Sequence, residues 1–143
     1  MPERRRYRLF LDKFGQNWRE RKAATGVYNC AGHVWASRRT SILADNAWRT
    51  LLREDDYRLL SDEESPVAGD LALYVDAKDG QYLHVGMILE MNEGIASESP
   101  KIPKILSKWN SAFGEVIHHE RDVPYDKQGI SARIEYWTDR PTA

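Results

Sequence analysis

The sequence has a single cysteine, Cys30, among 143 residues. A lone cysteine excludes an intrachain disulfide and any metal site that needs several cysteines. A charge imbalance is also missing, because 21 basic residues face 22 acidic ones and the formal net charge is -1. A nearly neutral chain has no general electrostatic attraction to nucleic acid or to an anionic membrane. Neither partner is therefore expected.

Long apolar runs are absent as well. No stretch approaches the roughly 20 apolar residues of a membrane span, and the N-terminus lacks an apolar run of signal-peptide length. These absences predict a soluble protein that is cytoplasmic as synthesised, with any export left to a dedicated secretion system. The local basic cluster of Arg4, Arg5, Arg6 and Arg8 is interpreted as a solvated terminus.

Helical patterns are present in the first half of the chain. Apolar and aromatic residues at roughly helical intervals predict a short amphipathic helix within residues 7–22. Asn29 is a suitable N-cap for a helix that begins at Cys30, which places the cysteine in the first turn. The spacing of apolar residues from Ala44 to Leu52 predicts a further helix with one buried face.

Strand patterns dominate the second half, where short β-branched, aromatic and aliphatic runs alternate with turn signals. Six strands are predicted near residues 57–60, 71–76, 83–91, 105–109, 114–118 and 132–137. The pair Asp79-Gly80 and the segment 92–94 are hairpin turns, which makes neighbouring strands antiparallel. Helices followed by an antiparallel sheet predict an α+β domain with its helices on one side of the sheet.

The length fits one domain, and no repeat or linker divides the chain. We therefore predict a single domain over residues 1–143. It comprises an N-terminal helical extension (1–25), a catalytic core (26–119) and a C-terminal strand with a tail (120–143).

Cys30 and His84 are the candidate catalytic pair. The positive end of a helix dipole lowers the pKa of a thiol, and a thiolate is the reactive nucleophile. Small residues after Cys30 leave room for a carbonyl and for backbone N–H donors to its oxyanion. His84 opens a predicted strand, where a neutral imidazole can accept the thiol proton and Gly86 leaves space for substrate. The alternatives are a buried structural cysteine and an ordinary half-buried histidine.

Three segments resemble the NlpC/P60 group of papain-like cysteine peptidases and amidases. Residues 29–32 (Asn-Cys-Ala-Gly) are similar to its Asp-Cys-Ser-Gly nucleophile segment, with two substitutions beside the cysteine. Residues 67–71 (Val-Ala-Gly-Asp-Leu) resemble its Pro-Gly-Asp-Leu strand entry, with Pro66 slightly displaced. Residues 84–88 (His-Val-Gly-Met-Ile) are similar to its His-Val-Gly-Ile motif. The resemblance spans roughly residues 26–119.

The resemblance implies a papain-like fold, no cofactor, and acyl transfer through a thioacyl intermediate on Cys30 with His84 as the base. The family adds a third polar residue that holds the imidazole, and Ser107 is the predicted one. It lies in the segment 104–109, which resembles one in papain-like proteins of unassigned function. The other candidates are Ser97, Glu98, Glu115 and one of His118 and His119, which point to opposite faces of their strand.

Several readings compete for the function. The expected substrate is a peptide-like amide, cut by a hydrolase or passed on by an acyltransferase. A zinc site formed by Cys30, His33, His84 and one of the two later histidines is an alternative, because zinc prefers such ligands. Five tryptophans and seven tyrosines could instead line a non-catalytic binding module of the same fold. A delivered toxin or effector with an inhibitor protein as its partner is the remaining alternative.

Overall fold

The structure is a computed structural model that describes residues 2–23, 28–35, 45–92, 102–109 and 113–141. Its helices are α1 (Pro2–Phe14), α2 (Cys30–Trp35) and α3 (Asp45–Glu54), and a 3-10 turn covers Asp126–Gln128. Its strands are β1 (Arg19–Lys22), β2 (Arg58–Leu59), β3 (Leu71–Asp76), β4 (Tyr82–Asn92), β5 (Ile102–Lys108), β6 (Glu115–His119) and β7 (Ala132–Thr138). None of the helices in these ranges is long and apolar enough to cross a membrane.

The strands form one sheet in the order β1-β6-β5-β4-β3-β7-β2. Every adjacent pair is antiparallel. The α+β class and the antiparallel sheet are therefore confirmed, and β3 has the predicted bounds. β7 lies between β3 and the edge strand β2, so the last strand of the chain joins the sheet one place from its edge.

The hairpin between β3 and β4 follows from its glycine. Gly80 has φ of 75°, a left-handed conformation that glycine adopts without steric cost. Its N–H donates to the carbonyl of Asp76 at 2.8 Å, and the Asp76 N–H donates to the carbonyl of Gln81 at 2.9 Å. The predicted turn at this point is confirmed. The second predicted turn continues past Asn92 into residues 93–94, which lie outside the described residues.

The predicted helix within residues 7–22 is wrong in its second half. α1 ends at Phe14, and the N–H of Gly15 donates to the carbonyl of Leu11 at 2.8 Å. Arg19 and the residues up to Lys22 instead form β1, which pairs with β6 at the edge of the sheet. The partner strand lies almost 100 residues away in the sequence, so local spacing gave no sign of this pairing.

The two faces of the sheet have separate cores. The face covered by α2 and α3 is lined by Ala31, Trp48, Leu52, Leu71, Leu73 and Val85. The second face is centred on Ala72, Tyr74, Ile88, Ile105 and Tyr125. α1 packs through Phe10 on Trp18, and Trp18 stacks on Trp109 of the second face. The prediction that the helices share one side therefore holds for α2 and α3, whereas α1 is linked to the other side.

Candidate active site at the start of helix α2

Cys30 is the first residue of α2, as predicted. The side chain of Asn29 caps the helix, because its Oδ1 accepts a hydrogen bond from the N–H of Gly32 at 2.9 Å. The backbone carbonyl of Asn29 accepts the N–H of His33 at 2.8 Å and closes the first turn. These two bonds fix the position of the cysteine between the cap and the sheet.

The environment of Cys30 favours the protonated thiol near neutral pH. Burial raises its pKa to about 11. Backbone hydrogen bonding from Val85, from Ala31 and from Cys30 itself acts in the opposite direction, as does the positive charge of Lys108, but neither outweighs burial. The first-turn backbone groups of α2 therefore lower the pKa of the thiol as expected, but burial outweighs them and the net shift is upward.

His84 is the third residue of β4 rather than its first, and it is buried with 1% of its surface exposed. Its ring stacks on Trp109 with centroids 3.9 Å apart and an interplanar angle of 11°. Within the described part of the chain, its Nε2 has no hydrogen-bond partner. Burial is the main cause that holds the pKa of His84 well below its ordinary value. Charge repulsion from the nearby His118 and His33 acts in the same direction, so the imidazole is neutral.

Cys30 and His84 meet at one peptide group of β4. The imidazole faces the second side of the sheet with Tyr74, whereas Val85 faces the side that α2 covers. Cys30 packs against the core cluster that contains Val85, which the peptide bond joins to His84, and the backbone of Val85 acts to lower the pKa of the thiol. The two residues are therefore adjacent through the backbone of β4, but their side chains lie on opposite faces of the sheet, and the thiol does not occupy the bonding position at Nε2 of His84.

Ser107 is brought together with His118 and not with His84. Its Oγ lies 2.6 Å from Nε2 of His118, and both residues are buried. Nδ1 of His118 lies 2.8 Å from the backbone carbonyl oxygen of His119, so Nδ1 carries the proton. Nε2 is then the acceptor, and the Ser107 hydroxyl donates. Burial lowers the pKa of His118 to about 4, which keeps this ring neutral.

Gly86 packs against β5 instead of opening space for a substrate. A Cβ atom at this position would lie 2.5 Å from Cγ2 of Ile105 and 2.7 Å from Oγ of Ser107. Both distances are far inside van der Waals contact, so any side chain here would push β4 and β5 apart. The glycine of the His-Val-Gly segment therefore has a packing role in this chain.

Glu115 pairs with a different histidine. It is buried, accepts a hydrogen bond from the Tyr28 hydroxyl at 2.5 Å, and lies 3.7 Å from Nε2 of His33. His119 is exposed while its neighbour is buried, which confirms that the two point to opposite faces. The remaining candidates for the third residue lie outside the described residues: Ser97 and Glu98.

No group of three or more metal-ligating side chains that could hold an ion occurs in the ranges that the structure describes. The zinc alternative needs Cys30 together with three histidines, and those histidines are engaged differently. His33 lies beside Glu115, His84 stacks on Trp109, and His118 bonds to Ser107.

Lys108 and Trp109 are the site residues that sequence reasoning missed. Lys108 is completely buried, and its Nζ donates to the carbonyl of Phe113 at 2.6 Å. A lysine is almost never fully buried unless it is paired, so composition predicts an exposed one. The only available sign was the alternation of β5, which puts Lys108 on the same face as Leu106.

Comparison with known proteins gave no match to a family model, to a curated protein or to a solved structure.

Proposed function

We propose that this chain is a cysteine-nucleophile hydrolase or acyltransferase that acts on a peptide-like amide, with a papain-like fold of the NlpC/P60 type. One observation carries the proposal. Cys30, in the capped first turn of α2, packs against the cluster that contains Val85, and the adjacent residue His84 has a buried ring nitrogen without a partner in the described residues.

The chemistry begins from a neutral pair. In the proposed step the His84 ring turns toward Cys30, accepts the thiol proton as the sulfur attacks the substrate carbonyl, and then protonates the leaving amine. This forms a thioacyl intermediate on Cys30 and releases the amine. Water or a second amine then attacks the thioacyl carbon and restores the thiol. A neutral imidazole suits this order of reaction steps because it can accept the thiol proton at the moment of attack.

Two neighbouring side chains orient the His84 ring, and they take the role that a charged residue would otherwise have. Trp109 stacks on the His84 ring, and Ser107 is proposed to act through His118, whose ring lies beside Trp109 at a centroid distance of 5.1 Å. An orienting group fixes the position and tautomer of the imidazole and does not need a charge. Substitution of Ser107 is therefore expected to change the rate less than substitution of His84.

A non-catalytic binding module of the same fold is the second candidate. The observation that favours it is the raised pKa of the Cys30 thiol, because a protonated thiol is a poor nucleophile. The two candidates differ in whether Cys30 forms a covalent acyl adduct.

Mass spectrometry of the purified chain after incubation with an activated acyl ester tests the proposal. The proposal expects an acyl adduct on Cys30 in the natural chain and in His119→Ala, which removes an exposed histidine. It expects no adduct in Cys30→Ser and a rate lower by about 100-fold in His84→Ala, a typical contribution of general base catalysis. An adduct that forms equally fast in His84→Ala, or no adduct in any variant, would favour the binding module.

A further inference from the structure

A buried polar network lies beneath the first turn of α2 and is not used by the chemistry above. Its members are Tyr28, His33, Lys108 and Glu115, each at most 4% exposed. Lys108 and Glu115 are cross-strand partners in β5 and β6. The other two lie on either side of Cys30 in the sequence. The network therefore connects the first turn of α2, which contains Cys30, to the sheet.

The network holds one charge of each sign in a fixed position. Glu115 accepts the Tyr28 hydroxyl at 2.5 Å, and His33 stands 3.7 Å from its other oxygen. The ammonium of Lys108 donates to the carbonyl of Phe113 at 2.6 Å and lies 4.7 Å from the centre of the Tyr28 ring. The face of an aromatic ring attracts a cation, so these contacts keep the ammonium next to the residues that precede Cys30.

Stability alone does not explain why Lys108 is buried, so its position relative to Cys30 is the more informative observation. Removing a lysine and a glutamate from water costs several kcal/mol per ion, and an apolar pair of similar size is often at least as stable. The β4–β5 register Met87↔Leu106 places Lys108 across from Val85 when it is continued by two residues. Val85 belongs to the core cluster against which Cys30 packs, and its backbone acts to lower the pKa of the thiol.

We propose that Lys108 is a positioning residue for Cys30, because its fixed ammonium stabilises the negative charge that forms on the sulfur when the thiol proton leaves. The role in catalysis rests on the proposed function, but the effect on the thiol can be measured without a substrate. The Phe113 carbonyl and the Tyr28 ring hold the ammonium in place, and the charge of Glu115 favours its charged form.

The charge states agree with this role. Burial lowers the pKa of Lys108 to about 8, and the charges of Glu115 and Cys30 act to raise it. The side chain is therefore mainly an ammonium at pH 7. The groups that act on it are Glu115 from β6, Cys30 from α2 and Tyr28 just before that helix, and His33 lies beside Glu115. The same ammonium lowers the pKa of the Cys30 thiol against the effect of burial.

The test compares Lys108→Met, which removes the charge at similar size, with Lys108→Arg, which keeps it. The rate of alkylation by iodoacetamide is measured against pH in the full chain, where Cys30 is the one thiol. We expect the thiol pKa to rise by about one unit in Lys108→Met. The thiolate fraction then falls about tenfold while intrinsic nucleophilicity rises about threefold, so the rate at fixed pH falls about threefold. Lys108→Arg should stay within about twofold of the natural chain.

A purely structural lysine would give a different pattern. Both substitutions would then disturb packing, expose the thiol and change the rate in the same direction. Equal changes in the two variants, or no change in Lys108→Met, would overturn the proposal. Thermal unfolding of both proteins shows whether each is folded under the conditions of the rate measurement.

A second measurement applies if Lys108→Met does not fold. Coupling between two charges is reciprocal, so a permanent negative charge at position 30 must raise the pKa of Lys108. NMR titration of the lysine side chains in Cys30→Asp and in its neutral match Cys30→Asn gives this value. A higher Lys108 pKa in Cys30→Asp supports the proposal, and equal values reject it. Loss of the acyl adduct with these effects intact would reject only the catalytic function.

Discussion

The hydroxyl of Ser107 donates to Nε2 of His118 across 2.6 Å between the neighbouring strands β5 and β6. The opposite nitrogen of the ring donates to the carbonyl of His119 at 2.8 Å. Both ring nitrogens are thus used in the neutral state, and a proton added at Nε2 would place a charge on a buried ring and force the Ser107 hydroxyl to accept instead of donate. This arrangement makes the stability of the fold dependent on pH.

We expect the free energy of unfolding to fall as the pH is lowered from about 6.5 to about 4. Burial holds the pKa of His118 at about 4, against an ordinary value of 6.5. Between these values the unfolded chain binds a proton that the folded chain does not bind, so this histidine alone removes about 3 kcal/mol. His84 acts in the same direction. Urea unfolding at a series of pH values measures the effect.

His118→Gln and His119→Gln are the matched variants for this prediction. The first removes the buried titrating ring, and the second removes an exposed one. The pH dependence should weaken in His118→Gln by about one proton, whereas His119→Gln keeps the buried ring and should keep the loss that this ring causes. A pH dependence that survives in His118→Gln would contradict the assignment.

Tyr28→Phe should destabilise the fold more than Tyr7→Phe. Each tyrosine donates to a glutamate at 2.5 Å, Tyr28 to Glu115 and Tyr7 to Glu20. Glu115 is buried, whereas Glu20 is exposed and can bond to water instead. We expect losses of about 1 to 3 kcal/mol for Tyr28→Phe and less than about 1 kcal/mol for Tyr7→Phe in urea unfolding. Equal losses would show that Glu115 is not held by this bond.

Arg140→Gln should weaken the link between the end of the chain and the start of β3. Arg140 binds both carboxylate oxygens of Asp70, at 2.7 and 3.2 Å. Burial raises the pKa of Asp70, but hydrogen bonds from Arg140, Thr138 and the backbone of Val67 outweigh it and lower the pKa below 3.8. Because Arg140 is exposed and water screens the pair, we expect only a modest loss of stability at pH 7.

The pH dependence of this loss gives its cause. The stabilisation by Asp70 is complete above its ordinary pKa and disappears as the pH falls through the lowered one. The difference between Arg140→Gln and the natural chain should therefore shrink in strong acid. Arg133→Gln breaks an exposed pair with Glu135 and should change stability by less than about 0.5 kcal/mol. Equal losses in the two variants would contradict a special role for Asp70.

Local patterns predicted the elements whose signals lie within a few residues. The cap at Asn29, the helix start at Cys30, the turn at Gly80 and the whole of β3 depend on neighbours in the sequence. The Asp70 of the strand-entry segment was also visible, but its partner Arg140 lies 70 residues away. Only folding showed that this aspartate binds the tail.

Lys108 and Glu115 show most clearly what local patterns miss. Charged residues are usually exposed, and nothing near them in the sequence marks these two as buried. Their burial follows from tertiary packing. β5 pairs with β6, and α2 with the residues just before it brings Tyr28 and His33 onto this pair of strands. Local patterns also missed β1, because residues 19–22 form a strand only by pairing with β6, which is distant in the sequence.

The sequence by itself determined the α+β class, the antiparallel hairpins and the position of Cys30 in a capped first turn. These depend on periodicity, capping and turn geometry, which act over short distances. The tertiary structure decided which groups are neighbours in the site. It packs Cys30 beside Val85, pairs Ser107 with His118, and places Lys108 against Tyr28 just before α2. It also decided the charge states, because burial sets the pKa values of Cys30 and His84, and burial is a property of the whole fold.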